Sequence, residues 1–376
     1  MVKCLFTRNY TRKIVTVKAT MSKIHNFSAG PSILAESAFE KSIQDIRNFA
    51  GTGLSILEVS HRGKEFEKVM ADTAQLVRDL LSVPDNYDVL FLQGGASTQF
   101  FQIPLNFLKT KAAYTQTGTW ASRAIVEAQG YGEAEVLGSS KSANFSFIPK
   151  DYTVPADADY FHCTSNNTIF GTQMKSYPNC GDVPLICDMS SDIFSKPVDV
   201  SKFAMIYAGA QKNMGPAGVT LVIIRKDMYN RVADRHIPTM MKYSIHAEND
   251  SMYNTPPVFP ILVSKYNLEW VKEVGGVEAM AVRNTEKADL LYNAIDKSPY
   301  FKGTAAVEDR SQMNVCFVFN EEYVHLEEKF NQACKEANLS GLKGHRSVGG
   351  YRASLYNALP LESVQALVDV MENFAS

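Results

Sequence analysis

Val183-Pro184-Leu185-Ile186-Cys187-Asp188 and Phe203-Ala204-Met205-Ile206-Tyr207-Ala208-Gly209-Ala210-Gln211-Lys212 are the two stretches that decide the fold. Each opens with a short apolar run that reads as a buried strand, and each ends on one charged residue. Strands of this kind that alternate with helical periods form a mainly parallel sheet covered on both faces. The carboxyl ends of such strands open into the ligand crevice, so Asp188 and Lys212 are delivered to one edge and one pocket. An amine and a carboxylate placed there suit pyridoxal phosphate, whose aldehyde is carried on a lysine and whose ring nitrogen needs a carboxylate to stay protonated. Taken singly, an exposed loop lysine and a helix-capping aspartate account for the two residues more simply. Only the rest of the chain decides between the two readings.

Working outward, the alternation holds from about Glu36 to Trp270. Strands are expected at Asp88 to Leu92, Ala112 to Thr115, Tyr160 to Cys163, Leu185 to Cys187, Ala204 to Tyr207 and Val219 to Ile224. Helices are expected at Phe66 to Leu81, Phe100 to Leu108 and Ala121 to Gln129, and a long helical stretch from Ile261 to Ile295 is interrupted at Gly275-Gly276. From Met313 the chain reads strand, helix, strand, helix, which describes a small α+β domain completed by the segment around Phe27. The expected division is an N-terminal extension over 1–21, a large domain over 36–279, and a small domain made of 22–35 and 280–376.

With 376 residues, 45% hydrophobic and 21% charged, the chain can bury one large core and a smaller one. A formal net charge of -2 leaves no electrostatic footprint for nucleic acid or an anionic membrane. The six cysteines, Cys4, Cys163, Cys180, Cys187, Cys316 and Cys334, form no CxxC pair and read as free thiols of a reducing compartment, the cytoplasm. Lys3, Arg8, Arg12, Lys13 and Lys18, with no acidic residue among the first twenty positions, have the composition of an organellar transit peptide. Met21 offers the other reading, an extension from an upstream start.

A phosphate site is the next requirement. Val89-Leu90-Phe91-Leu92 leads through Gln93-Gly94-Gly95 into Ala96-Ser97-Thr98 and a helix, and the free N–H groups of a helix start bind anions. A plain connecting turn reads the same way. No G-x-G-x-x-G or G-x-x-x-x-G-K-[ST] loop occurs, which disfavours nucleotide-dependent dehydrogenases and kinases. Trp120, in Gly118-Thr119-Trp120-Ala121-Ser122, is an indole available for stacking or for a core anchor. Thr168, in Asn166-Asn167-Thr168-Ile169-Phe170-Gly171, offers a hydroxyl to a phenolic oxygen or to a local turn. Two His-Arg pairs, His61-Arg62 and His345-Arg346, together with Arg352, suit a doubly anionic substrate, although surface cations are commonly just solvated.

Asn26-Phe27-Ser28-Ala29-Gly30-Pro31, Glu58-Val59-Ser60-His61-Arg62, Tyr207 through Asn213, Gly215-Pro216-Ala217-Gly218, and His345-Arg346 through Ala353-Ser354-Leu355-Tyr356-Asn357-Ala358 together resemble the phosphoserine aminotransferase family, in class V of the fold-type I pyridoxal phosphate enzymes. The resemblance runs from about Ser22 to the C-terminus. It implies an α/β fold-type I transferase with a mainly parallel seven-stranded sheet and a smaller α+β C-terminal domain. It further implies that Lys212 carries the cofactor aldehyde, Asp188 pairs with the ring nitrogen, Trp120 stacks on the ring and Thr168 bonds its phenolic oxygen. Ala96, Ser97 and Gln211 would hold the cofactor phosphate, with Asn254 and Thr255 reaching it from the second subunit of a homodimer. Arg352 would bind the substrate α-carboxylate, and His345 and Arg346, with His61 and Arg62 from across the interface, its distal anionic group. No metal is implied. Three positions depart from the family pattern: Ser97 where arginine is frequent, Asn167 where glutamate is usual, and Phe170 where Asp, His or Tyr is common.

The implied reaction is reversible, ping-pong transfer of the amino group of L-glutamate to 3-phosphohydroxypyruvate, giving O-phospho-L-serine and 2-oxoglutarate. The related keto acid of pyridoxine synthesis is a second candidate substrate. Alanine–glyoxylate or serine–pyruvate aminotransferases are the nearest rivals, and they act on small uncharged side chains with little use for four clustered His and Arg residues. A cysteine desulfurase needs a cysteine on a mobile Gly/Ser-rich loop, which this chain lacks. A binding protein on an enzyme fold is disfavoured by the intact Lys212 and Asp188.

Overall fold

The structure is a computed structural model that describes residues 23–346 and 348–375. The basic N-terminal stretch, with both of its readings, lies outside the described residues, as does Ser347 of the His345-Arg346 motif. Seven strands form the central sheet: β1 (Tyr87–Leu92), β2 (Lys111–Gln116), β3 (Glu133–Ser139), β4 (Phe161–Thr164), β5 (Leu185–Asp188), β6 (Met205–Gly209) and β7 (Thr220–Arg225). Their spatial order is β1-β7-β6-β5-β4-β2-β3. All run parallel except β7, which is antiparallel to both β6 and β1.

Period-two alternation sends successive residues of these strands into opposite cores. Cys163, Leu185, Cys187, Ile206, Ala208 and Ile223 pack on one face. Tyr160, Ile186, Met205, Tyr207, Val222 and Ile224 pack on the other. Both faces are covered by helices, so apolar runs with no polar alternation mark the strands. Strand β3 is the exception and falls outside the six strands expected from apolar runs. It pairs only with β2, at the sheet edge, and carries Glu133 and Glu135. Charges on an edge strand block pairing with another chain, and they also hide the strand from an apolar pattern.

Helix α1 (Glu36–Asn48) precedes α2 (Lys64–Leu81), which buries Phe66, Val69, Met70, Thr73, Leu76, Val77, Leu80 and Leu81 at helical spacing. Helix α3 (Gly95–Phe107) begins five residues before the expected Phe100, because the Gly-Gly turn itself forms its first turn. Helix α4 covers Thr119–Ala128. The long helical stretch is two helices, α5 (Val258–Glu273) and α6 (Gly276–Lys297), broken where Gly275 and Gly276 take φ of +105° and +74°. No helix of the described residues is long and apolar enough to cross a membrane.

A separate apolar cluster joins Phe27 to Leu291, Phe301, Phe317, Tyr351 and Leu367. It surrounds a three-stranded antiparallel sheet of β8 (Phe301–Gly303), β9 (Asn314–Phe319) and β10 (Tyr351–Ser354). Strand β8 was absent from the expected elements. Buried hydrogen bonds tie this part to the large sheet: Asn284 Nδ2 donates to Ser195 O at 3.0 Å, Asn357 N to Asn213 Oδ1 at 3.0 Å, and Asn166 Nδ2 to Asn314 Oδ1 at 2.8 Å.

Candidate active site

The carboxyl ends of β4, β5 and β6 and the start of α3 enclose a cavity of about 500 Å³. Strand β5 ends on Asp188, 4% exposed, and the turn after β6 carries Lys212. That turn is gripped from outside. Ser32 Oγ donates to Lys212 O at 2.6 Å and Ser32 N to Gln211 O at 3.0 Å, while Gly215 lies so close to Ser264 of α5 that any Cβ would collide with it.

Lys212 Nζ donates to Thr168 Oγ1 at 2.7 Å. Burial lowers the amine to about 8, against the pull of Asp188 and with the help of Arg352. A lysine in that range exchanges protons near neutral pH. Asp188 Oδ1 accepts from Ser190 N at 2.9 Å and Ser190 Oγ at 2.6 Å, and Ser190 Oγ accepts from Gly209 N at 3.0 Å. Burial raises the Asp188 carboxyl above its ordinary value, and the Ser190 bonds and Lys212 oppose that rise. Arg352, on β10, donates from Nη1 to Thr168 O at 3.3 Å. Thr168 therefore touches the amine through its side chain and the guanidinium through its main chain.

At the opposite end, Gly94 takes φ of +93° and a Cβ there would strike the Thr98 side chain, so the tight approach needs glycine. No side chain caps the start of α3, and Gly94, Gly95, Ala96 and Ser97 line the cavity. Trp120 forms a wall, with the Arg123 guanidinium 5.0 Å from its ring centre. Three buried polar atoms on the cavity residues, Trp120 Nε1, Thr164 Oγ1 and Arg352 Nε, have no partner among the described residues. An amine, a fixed carboxylate, an indole, an uncapped helix start and unpaired donors in one cavity fit pyridoxal phosphate and a carboxylate substrate.

Ala96, Ser97, Trp120, Thr168, Asp188, Gln211, Lys212, His345 and Arg352 meet in this cavity. The other expected site residues do not line it. Asn254 lines a separate cavity of about 140 Å³, and Thr255 O accepts from Gln93 Nε2 at 3.0 Å. Arg346 lines a groove with Lys343 and Tyr351. His61 and Arg62 lie just before α2, with His61 Nε2 buried and without a partner among the described residues. Burial and the cations Arg352, Arg346 and Arg123 lower the pKa of His345.

Of the departures from the family pattern, Asn167 and Phe170 are occupied structurally. Asn167 accepts from Thr117 Oγ1 at 3.3 Å and donates to Thr172 Oγ1 at 3.1 Å, and Phe170 packs on Phe145 at 4.7 Å between ring centres. Ser190 and Asn166 were missed from the sequence. Ser190 carried a signal, a serine two residues after an aspartate, which is the spacing of a local side-chain turn. Asn166 carried none, since its partners Ser311 and Asn314 lie far along the chain.

The pattern of the class-V aminotransferases matches residues 24–367. The chain is 55% identical to a phosphoserine aminotransferase of Bacteroides fragilis over 94% of this chain and 99% of that protein. It is 56% identical to one of Flavobacterium psychrophilum over 93% and 98%. Among solved structures, a phosphoserine aminotransferase from Bacillus circulans subsp. alkalophilus superposes with a TM-score of 0.90 at 46% identity, covering 94% of this chain and 98% of that one. A phosphoserine aminotransferase from Trichomonas vaginalis, solved with pyridoxal phosphate bound, gives 0.89 at 39%, covering 93% and 100%. An alanine–glyoxylate aminotransferase from Nostoc, at 13% identity and a TM-score of 0.73, shares the fold alone. Site and likeness agree: this chain belongs to the phosphoserine aminotransferases, pyridoxal phosphate enzymes of the class-V aminotransferase family.

Proposed function

We propose that Lys212, Asp188 and Arg352 carry out the transfer of the amino group of L-glutamate to 3-phosphohydroxypyruvate, giving O-phospho-L-serine and 2-oxoglutarate. The observation that carries this reading is the junction at Thr168, which holds the amine of Lys212 and the guanidinium of Arg352 in one cavity with Asp188. Bound pyridoxal phosphate supplies an aldehyde that condenses with amines and a ring that takes up electrons while its nitrogen is protonated. Asp188, fixed by Ser190, holds that proton. Ala96, Ser97 and Gln211 hold the cofactor phosphate, Trp120 covers the ring and Thr168 bonds the phenolic oxygen. Arg352 orients the substrate α-carboxylate, and Lys212 Nζ takes the proton from the substrate Cα.

The same cavity takes both substrates in turn, so the kinetics are ping-pong. Glutamate added to the holoenzyme shifts its visible absorbance, and 3-phosphohydroxypyruvate restores it while pyruvate and glyoxylate do not. Restoration by pyruvate would overturn the substrate assignment. The phosphorylated keto acid of pyridoxine synthesis, which differs mainly in chain length and a hydroxyl, belongs to the same proposal.

We further propose a homodimer with shared sites, in which His61, Arg62, Asn254 and Thr255 serve the partner's cavity while His345 and Arg346 serve their own. Two observations support it. Those first four residues stand outside the cavity of their own chain, and α1 exposes Phe39, Ile43 and Ile46 beside Leu54 and Leu57, an apolar face of the kind that another chain covers. Mixing inactive Lys212→Ala subunits with weakened Arg62→Ala subunits then regenerates one complete site per hybrid dimer. A mixture no more active than its Arg62→Ala part would rule out sharing. The same reading assigns 36–279 to a large domain, 22–35 and 280–376 to a small one, and the protein to the cytoplasm.

A further inference from the structure

The floor of the cavity holds a polar group that none of these roles uses. Thr164 is the last residue of β4 and the parallel register partner of Asp188 on β5. Register partners in a parallel pair direct their side chains to the same face, so Thr164 stands beside the carboxylate. It is 2% exposed, it lines the cavity, and its Oγ1 is buried with no hydrogen-bond partner among the described residues. A buried hydroxyl left unpaired is costly, and such groups are normally satisfied by protein or by something bound.

The neighbouring hydroxyls are already committed within the chain. Ser190 Oγ donates to Asp188 Oδ1 at 2.6 Å, Thr168 Oγ1 accepts from Lys212 at 2.7 Å, and Ser191 Oγ donates to Asn166 O at 2.8 Å. Ser165, the next residue, turns its hydroxyl to the Asp188 carbonyl at 3.0 Å and to the Asp192 carboxylate. Of these five hydroxyls, only that of Thr164 has no partner among the described residues. The other two unpartnered groups, Trp120 Nε1 and Arg352 Nε, belong to side chains already placed at the ring face and at the substrate carboxylate.

We propose that Thr164 is a further cofactor-binding residue, whose hydroxyl hydrogen-bonds the ring end of pyridoxal phosphate beside Asp188. The inference rests on the cofactor lying between Asp188 and Lys212. Valine matches threonine in shape but lacks the hydroxyl, and serine keeps the hydroxyl but lacks the methyl.

The test strips the cofactor from the parent protein and from Thr164→Val, Thr164→Ser and Asp188→Asn, then titrates each with pyridoxal phosphate by fluorescence and melts each cofactor-free form. Thr164→Val weakens binding roughly five- to tenfold, as expected for one lost hydrogen bond, and Thr164→Ser stays within about twofold of the parent. The cofactor-free Thr164→Val protein melts no lower than the parent, because the substitution removes an unpaired buried hydroxyl. Weakened binding in Thr164→Ser with unchanged binding in Thr164→Val would mean that shape and not the hydroxyl matters and would overturn the proposal. Unchanged binding in Thr164→Val with weakened binding in Asp188→Asn overturns the role of Thr164 alone. Unchanged binding in both overturns the placement of the cofactor.

Discussion

The floor of the cavity and its rim are built differently. Floor residues sit on strand ends or in the turns directly after them, and the two charged ones are fixed by short bonds to their own chain: Asp188 by Ser190, Lys212 by Thr168 and Ser32. The cationic rim residues are dispersed, with Arg346 in a groove on the small part and His61 and Arg62 ahead of α2. A sheet edge can place a carboxylate and an amine to within a hydrogen bond, because strand register leaves no freedom. Loops that recognise a variable anionic tail need not be fixed until the tail arrives. On the proposed reading, one chain prepares the chemical end and a second chain completes the recognition end.

The difference predicts unequal consequences. Lys212→Ala lowers kcat at least about 10³-fold, as expected when the group that moves the proton is lost, while circular dichroism and the melting transition stay those of a folded protein. Retained turnover would remove Lys212 from the floor.

Burial of Lys212 also sets a pH dependence. Its folded value of about 8 lies below the 10.5 of a free lysine, so the unfolded chain binds more protons between those values and stability rises with pH across that window. The penalty is complete below pH 8 and is relieved as the pH approaches 10.5. In the cofactor-free protein the stability gap between the parent and Lys212→Met therefore narrows by roughly 3 kcal/mol over that range, measured by urea unfolding. A gap that does not move with pH would show that the amine is not buried in charged form.

The rim predicts smaller and more selective effects. Arg352→Ala, which touches the floor through Thr168, lowers kcat/KM about 10²-fold for both glutamate and the phosphorylated keto acid. Arg346→Ala costs about tenfold, and more for the phosphorylated substrate than for glutamate. Equal losses for the two substrates in Arg346→Ala would erase the distinction between floor and rim.

Much of this was legible in the sequence because the fold writes its central strands as unbroken apolar runs. Val183 to Asp188 and Phe203 to Lys212 announce both the sheet and the charged residues at its edge, and the Gly94-Gly95 turn announces the uncapped helix. Strand β3 was not legible, since its Glu133 and Glu135 obey the demands of an edge and not of a core. Thr164 looks like any β-branched residue finishing a strand, and its unpaired hydroxyl becomes visible only when every neighbouring bond has been assigned. Asn166 meets Asn314 across 148 positions of sequence, a contact that no local pattern encodes.

That last contact belongs to a seam. Asn166 with Asn314, Asn284 with Ser195, and Asn357 with Asn213 stitch the two cores together by buried amides. Swinging the cores apart would strip several amides of their partners at once, with little water at hand to replace them. The seam therefore works as a weld that opposes a hinge between the two parts of the fold.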